Sequence, residues 1–138
     1  MESIEKIQEE IISEFELFSD WTEKYEYIIE LGKKLPLISN EYKNENHKVN
    51  GCVSQVWLNS EIKDGKIFFT ADSDAIITKG LISLLIRVFS NQKAEDIINS
   101  NIEFIEKIGL KEHLSPTRAN GLFSMINTIK TEAKKSLY

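Results

Sequence analysis

A chain of 138 residues with 41% apolar and 28% charged residues is long enough to bury a core and too apolar for disorder, so residues 1–138 are expected to form one domain. Its net charge of -5 and pI near 5.1 give no general attraction to phosphate backbones or anionic lipids, so no nucleic-acid or membrane partner is expected. One cysteine, Cys52, excludes an internal disulfide framework and leaves a single reactive thiol.

The first eighteen residues carry Glu2, Glu5, Glu9, Glu10, Glu14 and Glu16, the opposite of the basic and then apolar layout of a secretory signal, so a cytoplasmic location is expected. Ile4, Ile7, Ile11, Phe15 and Phe18 recur at spacings of three and four, which predicts an amphipathic helix with its glutamates in water. Asp20 and Glu23 form a capping-box pattern, predicting a second helix from Trp21 that buries Trp21, Tyr25, Ile28 and Ile29. That helix is expected to stop at Gly32 through a left-handed conformation, with Pro36 marking the break. Residues 33–50 are polar and irregular and read as a surface connection.

Asp64-Gly65 tolerates the positive φ angles of a two-residue turn, so strands over 53–63 and 66–71 are predicted to form a β-hairpin. Such a turn sets Ile62 opposite Ile67, Ser60 opposite Phe69 and Leu58 opposite Ala71, with Val56, Leu58, Ile62, Ile67 and Phe69 on the core face. Asp72, Ser73 and Asp74 offer capping oxygens to a largely apolar helix over 75–89. Gly80 inside that helix signals a close backbone approach. Its apolar run, 81–89, is broken by Ser83 and Arg87 and falls short of the roughly 20 residues needed to span a bilayer. Short helices are predicted over 94–98 and 104–108, and Ser115-Pro116 starts a last helix with Leu122, Met125, Ile126 and Ile129 as its apolar stripe.

Cys52 stands at the entry to the hairpin. Asn50-Gly51 permits a sharp turn before it, and Val53 and Trp57 supply apolar surface to shelter the thiol. On the residues alone, several readings stay open. A lone cysteine can be a small buried hydrophobe. A metal site would draw on Cys52, His47 and His113, fewer soft ligands than tight zinc or iron–sulfur sites generally use, and no metal is expected. A cysteine hydrolase needs a base and an orienting third group, and no such signature surrounds either histidine. A sulfur carrier needs one accessible thiol with electrostatic support, and a second cysteine would attack the stored persulfide. Arg118, third in the last helix, can support a thiolate or be a solvated arginine; Asp74 can be a cap or part of a partner surface.

Four blocks resemble the SufE family of sulfur acceptors. They are Trp21-Thr22-Glu23-Lys24-Tyr25 with Tyr27-Ile28-Ile29-Glu30-Leu31-Gly32 and Leu35-Pro36; Gly51-Cys52-Val53-Ser54-Gln55-Val56-Trp57; Asp72-Ser73-Asp74-Ala75-Ile76-Ile77-Thr78-Lys79-Gly80-Leu81; and His113-Leu114-Ser115-Pro116-Thr117-Arg118-Ala119-Asn120-Gly121-Leu122. The resemblance implies an α+β fold like that of IscU-type scaffolds, with a small antiparallel sheet and β-hairpin covered by helices. It implies that Cys52 accepts sulfane sulfur as a persulfide from a PLP-dependent cysteine desulfurase of SufS type, stimulating it and relaying sulfur to an iron–sulfur scaffold. Cys52 would rest in a sheltered loop that moves toward the partner, with Arg118 near the thiol or the partner, and Gly51 and Asp74 at the partner contact. The protein would then be an acceptor and activator rather than a self-contained enzyme. PLP would stay with the desulfurase, so no cofactor is expected here, and with only one cysteine no cluster is expected to assemble on this chain. Alternatives are a paralogous acceptor feeding tRNA thiolation or cofactor sulfuration, and a module that activates the desulfurase without taking sulfur.

Overall fold

The computed structural model describes residues 2–137. Helix α1 (Ile4–Glu16) begins at Ser3, whose hydroxyl accepts the Lys6 N–H, and it buries Ile4, Ile7, Ile11 and Phe15. Phe18 falls beyond its end and packs on the Tyr27 ring instead. Helix α2 (Trp21–Gly32) starts with half of the predicted capping box: Asp20 accepts the Glu23 N–H at 2.9 Å, whereas Glu23 takes the Ser19 hydroxyl rather than the Asp20 backbone. Ile28 is its fully buried residue; Trp21, Tyr25 and Ile29 are half-buried, and Trp21 stacks on His113 with ring centroids 4.0 Å apart.

The hairpin follows the predicted register residue for residue. Strands β1 (Val56–Lys63) and β2 (Lys66–Ser73) pair antiparallel with Ile62 opposite Ile67, Ser60 opposite Phe69 and Leu58 opposite Ala71. Asp64 and Gly65 both have positive φ, 54° and 77°, which gives the turn the twist the strands need. Val56, Leu58, Ile67, Phe69 and Ala71 are buried. Ile62 departs from the predicted core face and is 61% exposed. It lies at the overhanging tip, while its partner Ile67 is covered by the 91–92 segment, exchanging backbone hydrogen bonds with Asn91 and Gln92. Residues 53–55 are not strand: they form the end of a loop that lies against the last helix.

Helix α3 (Ile76–Phe89) is the central helix, and its cap differs from expectation. Asp72 and Ser73 still belong to β2, and the N-cap residue is Ala75. Asp72 accepts the Ser73 N–H and bridges Lys43 and Lys79 at 2.5 and 3.3 Å, while Asp74 turns toward Gln55. Short helices α4 (Ala94–Ile98) and α5 (Phe104–Lys107) lead to α6 (Pro116–Lys135), capped by the Ser115 hydroxyl and burying Leu122, Met125, Ile126 and Ile129. The connection before the hairpin is more than surface loop. Leu35, Ile38 and Val49 enter the core, Leu37 bridges Ala71, and Lys48 bridges Trp57.

Gly80 makes the predicted close approach, and its partner is Gly32. A Cβ on Gly80 would overlap the Ile28 carbonyl oxygen, and one on Gly32 would stand 2.9 Å from the Gly80 nitrogen. Gly32 is therefore selected by the α2–α3 crossing and not by a left-handed cap; the residue after it, Lys33, is in the right-handed region. In Gly80→Ala, the gain of about 1 kcal/mol in helix propensity is outweighed by about 1–3 kcal/mol of overpacking against a backbone atom that cannot swing away. A melting temperature lower by several degrees is expected; an unchanged or raised value would show that the two helices separate freely.

Candidate functional site

Cys52 sits in a loop of residues 50–55 that is closed at its base and free at its tip. The Val49 N–H donates to the Val56 carbonyl at 2.8 Å, and beyond it Gln55 and Asp74 hold each other twice. The Asp74 carboxylate accepts the Gln55 N–H at 3.0 Å, and the Asp74 N–H donates to the Gln55 carbonyl at 3.3 Å. Among the described residues, no hydrogen bond ties the backbone of residues 50–54 to the rest of the chain.

What seats the tip is contact with α6. Gly51 has φ of +89°, and a Cβ there would come within 2.5 Å of the Ser124 hydroxyl oxygen, so glycine is required by both backbone and space. Cys52 lies on Gly121: its S–H donates to the Gly121 carbonyl at 3.5 Å, and a Cβ on residue 121 would touch the sulfur at 3.4 Å. The thiol is half-buried, and a cavity of about 30 Å³ beside it is floored by Thr78, Leu81, Gly121 and Met125, with Thr117 and Arg118 at its mouth. That space suits one water-sized group and lies far below the roughly 300–1,000 Å³ of organic-ligand sites. A larger groove of about 670 Å³ separates β1 from α6; its walls are mostly Asn, Ser and Thr side chains, and within it the Ser60 hydroxyl donates to the Glu132 carboxylate at 3.4 Å.

The charges around the sulfur divide into two sets. Burial pushes the Cys52 thiol up from its ordinary value, and the Gly121 carbonyl favours S–H over S⁻. Against this stand the N-terminal turn of α6 and Arg118, an exposed guanidinium with no salt bridge among the described residues.

The structure thus brings Gly51, Cys52 and Arg118 to one place, with Asp74 at the base of the same loop. The shelter differs in part from expectation: Val53 lines the cavity but is 83% exposed, and Trp57 faces the Lys43 ammonium away from the cavity. Leu81, Met125 and Thr78 shelter the sulfur instead. Gly121 and Ser124 were missed as shaping residues, although a glycine inside a helix is itself a signal of close approach. The histidines lie elsewhere in local hydrogen bonds, His47 with Asn44 and His113 with the Gly109 carbonyl. Among the described residues, no three His, Cys, Asp or Glu side chains converge as metal ligands, and no helix is long and apolar enough to cross a membrane.

A family model described as "SufE: Fe-S metabolism associated domain" matches residues 9–133. A SufE-like protein of Rhizobium meliloti is 41% identical over 134 residues, covering 94% of this chain and 96% of its own. SufE-like proteins of Rhizobium etli and Synechocystis are 40% and 37% identical, covering 91% and 89% of this chain and 88% and 77% of their own. The solution structure of a hypothetical protein from Thermus thermophilus superposes with a TM-score of 0.78 over 95% of this chain and 96% of that one; at 18% identity it speaks for the fold alone.

The raised thiol pKa has a direct consequence. Alkylation of Cys52 by iodoacetamide should rise with pH, with a midpoint in the native protein above that of the same protein in denaturant. A native midpoint at or below the denatured one would mean that Arg118 and the helix terminus already outweigh burial in the resting state.

Proposed function

This chain belongs to the SufE family, and we propose that it accepts sulfane sulfur on Cys52 from a PLP-dependent cysteine desulfurase and relays it toward iron–sulfur cluster assembly in the cytoplasm. The Cys52 thiolate attacks the outer sulfur of the donor's cysteine persulfide. A new S–S bond forms on Cys52, the donor's own S–S bond breaks, and the donor cysteine leaves as a thiolate that takes up a proton; there is no net change of oxidation state. Freed of its persulfide, the desulfurase turns over again, which is how the acceptor stimulates it.

One observation carries this reading: a lone thiol on a loop tip whose backbone makes no hydrogen bonds among the described residues, beside a cavity with room for one small group. A persulfide adds one sulfur atom, and the cavity of about 30 Å³ can shelter it from water and from other thiols. The absence of a second cysteine protects the cargo from internal attack. Arg118 and the start of α6 support the sulfur as an anion at the cavity mouth. Asp74 acts first on the loop, by fixing Gln55, and through that anchor on how the tip meets its partner. The reading takes the chain as one acceptor domain, because side chains from α1 through α6 share a single core.

Incubation with desulfurase and free cysteine should add the mass of one sulfur atom to Cys52, and Cys52→Ser should take none and give no stimulation. Full stimulation by Cys52→Ser would instead make the protein a non-covalent activator. Arg118→Ala should keep the fold, since the residue is exposed, and slow sulfur acceptance by about tenfold, equivalent to losing about 1.4 kcal/mol of anion stabilisation. A wild-type rate in that variant would remove Arg118 from the chemistry.

A further inference from the structure

The residue after the nucleophile presents an unexplained contrast. Val53 is 83% exposed although it is aliphatic and adjoins a cavity with an apolar floor. Exposure alternates along the loop: Gly51, Val53 and Gln55 face water, whereas Cys52 and Ser54 are half-buried. Val53 and Ser54 lie in bends, and because Cys52 and Val53 face opposite ways, a half-turn of the tip that brings Cys52 out carries Val53 in.

The space inside matches such an exchange. Val53 has one side-chain heavy atom more than Cys52, and the cavity beside Cys52, about 30 Å³, has room for one water-sized group. The thiol's own seat plus that cavity therefore accommodates the isopropyl group against Leu81 and Met125. If the thiol left with nothing replacing it, both volumes would stand open and the floor would lose its packing. The backbone permits the motion: the loop is pinned at Val49–Val56 and Gln55–Asp74, Gly51 is already at φ +89°, and no hydrogen bond among the described residues holds the backbone of 50–54.

We propose that Val53 is a positioning residue that trades places with Cys52, entering the cavity between α3 and α6 as the thiol swings out to meet its sulfur donor. This rests on the reading of Cys52 as the sulfur acceptor and goes beyond it. Apolar burial of Val53 offsets the loss of the thiol's seat, so the two arrangements lie close in free energy and a docking partner needs little differential affinity to select the outward one. Val53 acts through the position of Cys52.

The test uses the full chain with Val53→Ala and Val53→Asp. Cys52 alkylation by iodoacetamide is measured at one pH and divided by the rate for the same variant in denaturant, which removes local effects of the new side chain on the thiol. Val53→Ala should fall about tenfold, because two methyl groups no longer leave water when the loop turns. Val53→Asp should fall further, since a carboxylate is costly to bury in an apolar cavity. Val53→Thr is isosteric and can donate to the Gly121 carbonyl that the thiol vacates, so it should alkylate within about threefold of wild type. Melting temperatures should stay at the wild-type value, because the resting Val53 is exposed. Normalised rates for Val53→Ala and Val53→Asp equal to or above wild type would overturn the exchange. Sulfur loading of wild type by desulfurase, scored separately by mass, reports on the acceptor reading itself, so the two can fail independently.

Discussion

The hydrogen bond from the Val49 N–H to the Val56 carbonyl is the constraint on which the site depends. It pairs the last residues of a long irregular connection antiparallel with the start of β1 and makes the following six residues a closed loop. Because the closure is made by backbone at the edge of a buried strand, Val49 and Val56 being 3% and 0% exposed, the base is as rigid as the core. The tip has no comparable backbone bonds among the described residues and is seated by its packing on Gly121 and Ser124 of α6.

Helix α6 provides the other half of the site. Its early turns do three separate things within a short stretch: Gly121 lets the sulfur lie against the helix, Ser124 receives Gly51, and Arg118 stands at the open side. The same helix buries Leu122, Met125, Ile126 and Ile129 in the core, so the platform under the loop cannot shift without unpacking the protein. Helix α3 closes the cavity with Thr78 and Leu81, and α3 is itself set by the Gly32–Gly80 crossing with α2. Small residues at these contacts, rather than polar catalytic groups, define the geometry.

Charge is used to brace elements more than to perform chemistry. Burial alone would raise the Asp72 carboxyl, but hydrogen bonds from Lys43, the Ser73 N–H and Lys79 bring it below its ordinary value, tying the connection, β2 and α3 together. The Arg87 guanidinium grips Glu14 through both nitrogens and holds that carboxyl low despite its partial burial; Tyr27 donates to the same carboxylate and is raised to about 12, by burial first and then by Glu14. Near Cys52 such pairs are replaced by a carbonyl and one guanidinium without a salt bridge among the described residues.

The hairpin, its register and most helix limits were legible in the sequence because they rest on local rules: an Asp64-Gly65 turn admits one antiparallel pairing, Ser115-Pro116 starts a helix, and spacings of three and four define a face. The blocks around the lone cysteine likewise pointed to the family. Local rules failed where a residue's task is set by something distant along the chain. Gly32 reads as a helix stop but serves Gly80, Asp72 and Asp74 read as caps but hold Lys43, Lys79 and Gln55, Ile62 alternates correctly but overhangs the core, and Val53 reads as shelter but faces water. Those assignments, and the cavity that gives Cys52 its room, depend on which surfaces meet when α2, α3, α6 and the hairpin pack. Spacing along the chain encodes which residues share a face, whereas only tertiary packing determines what that face touches.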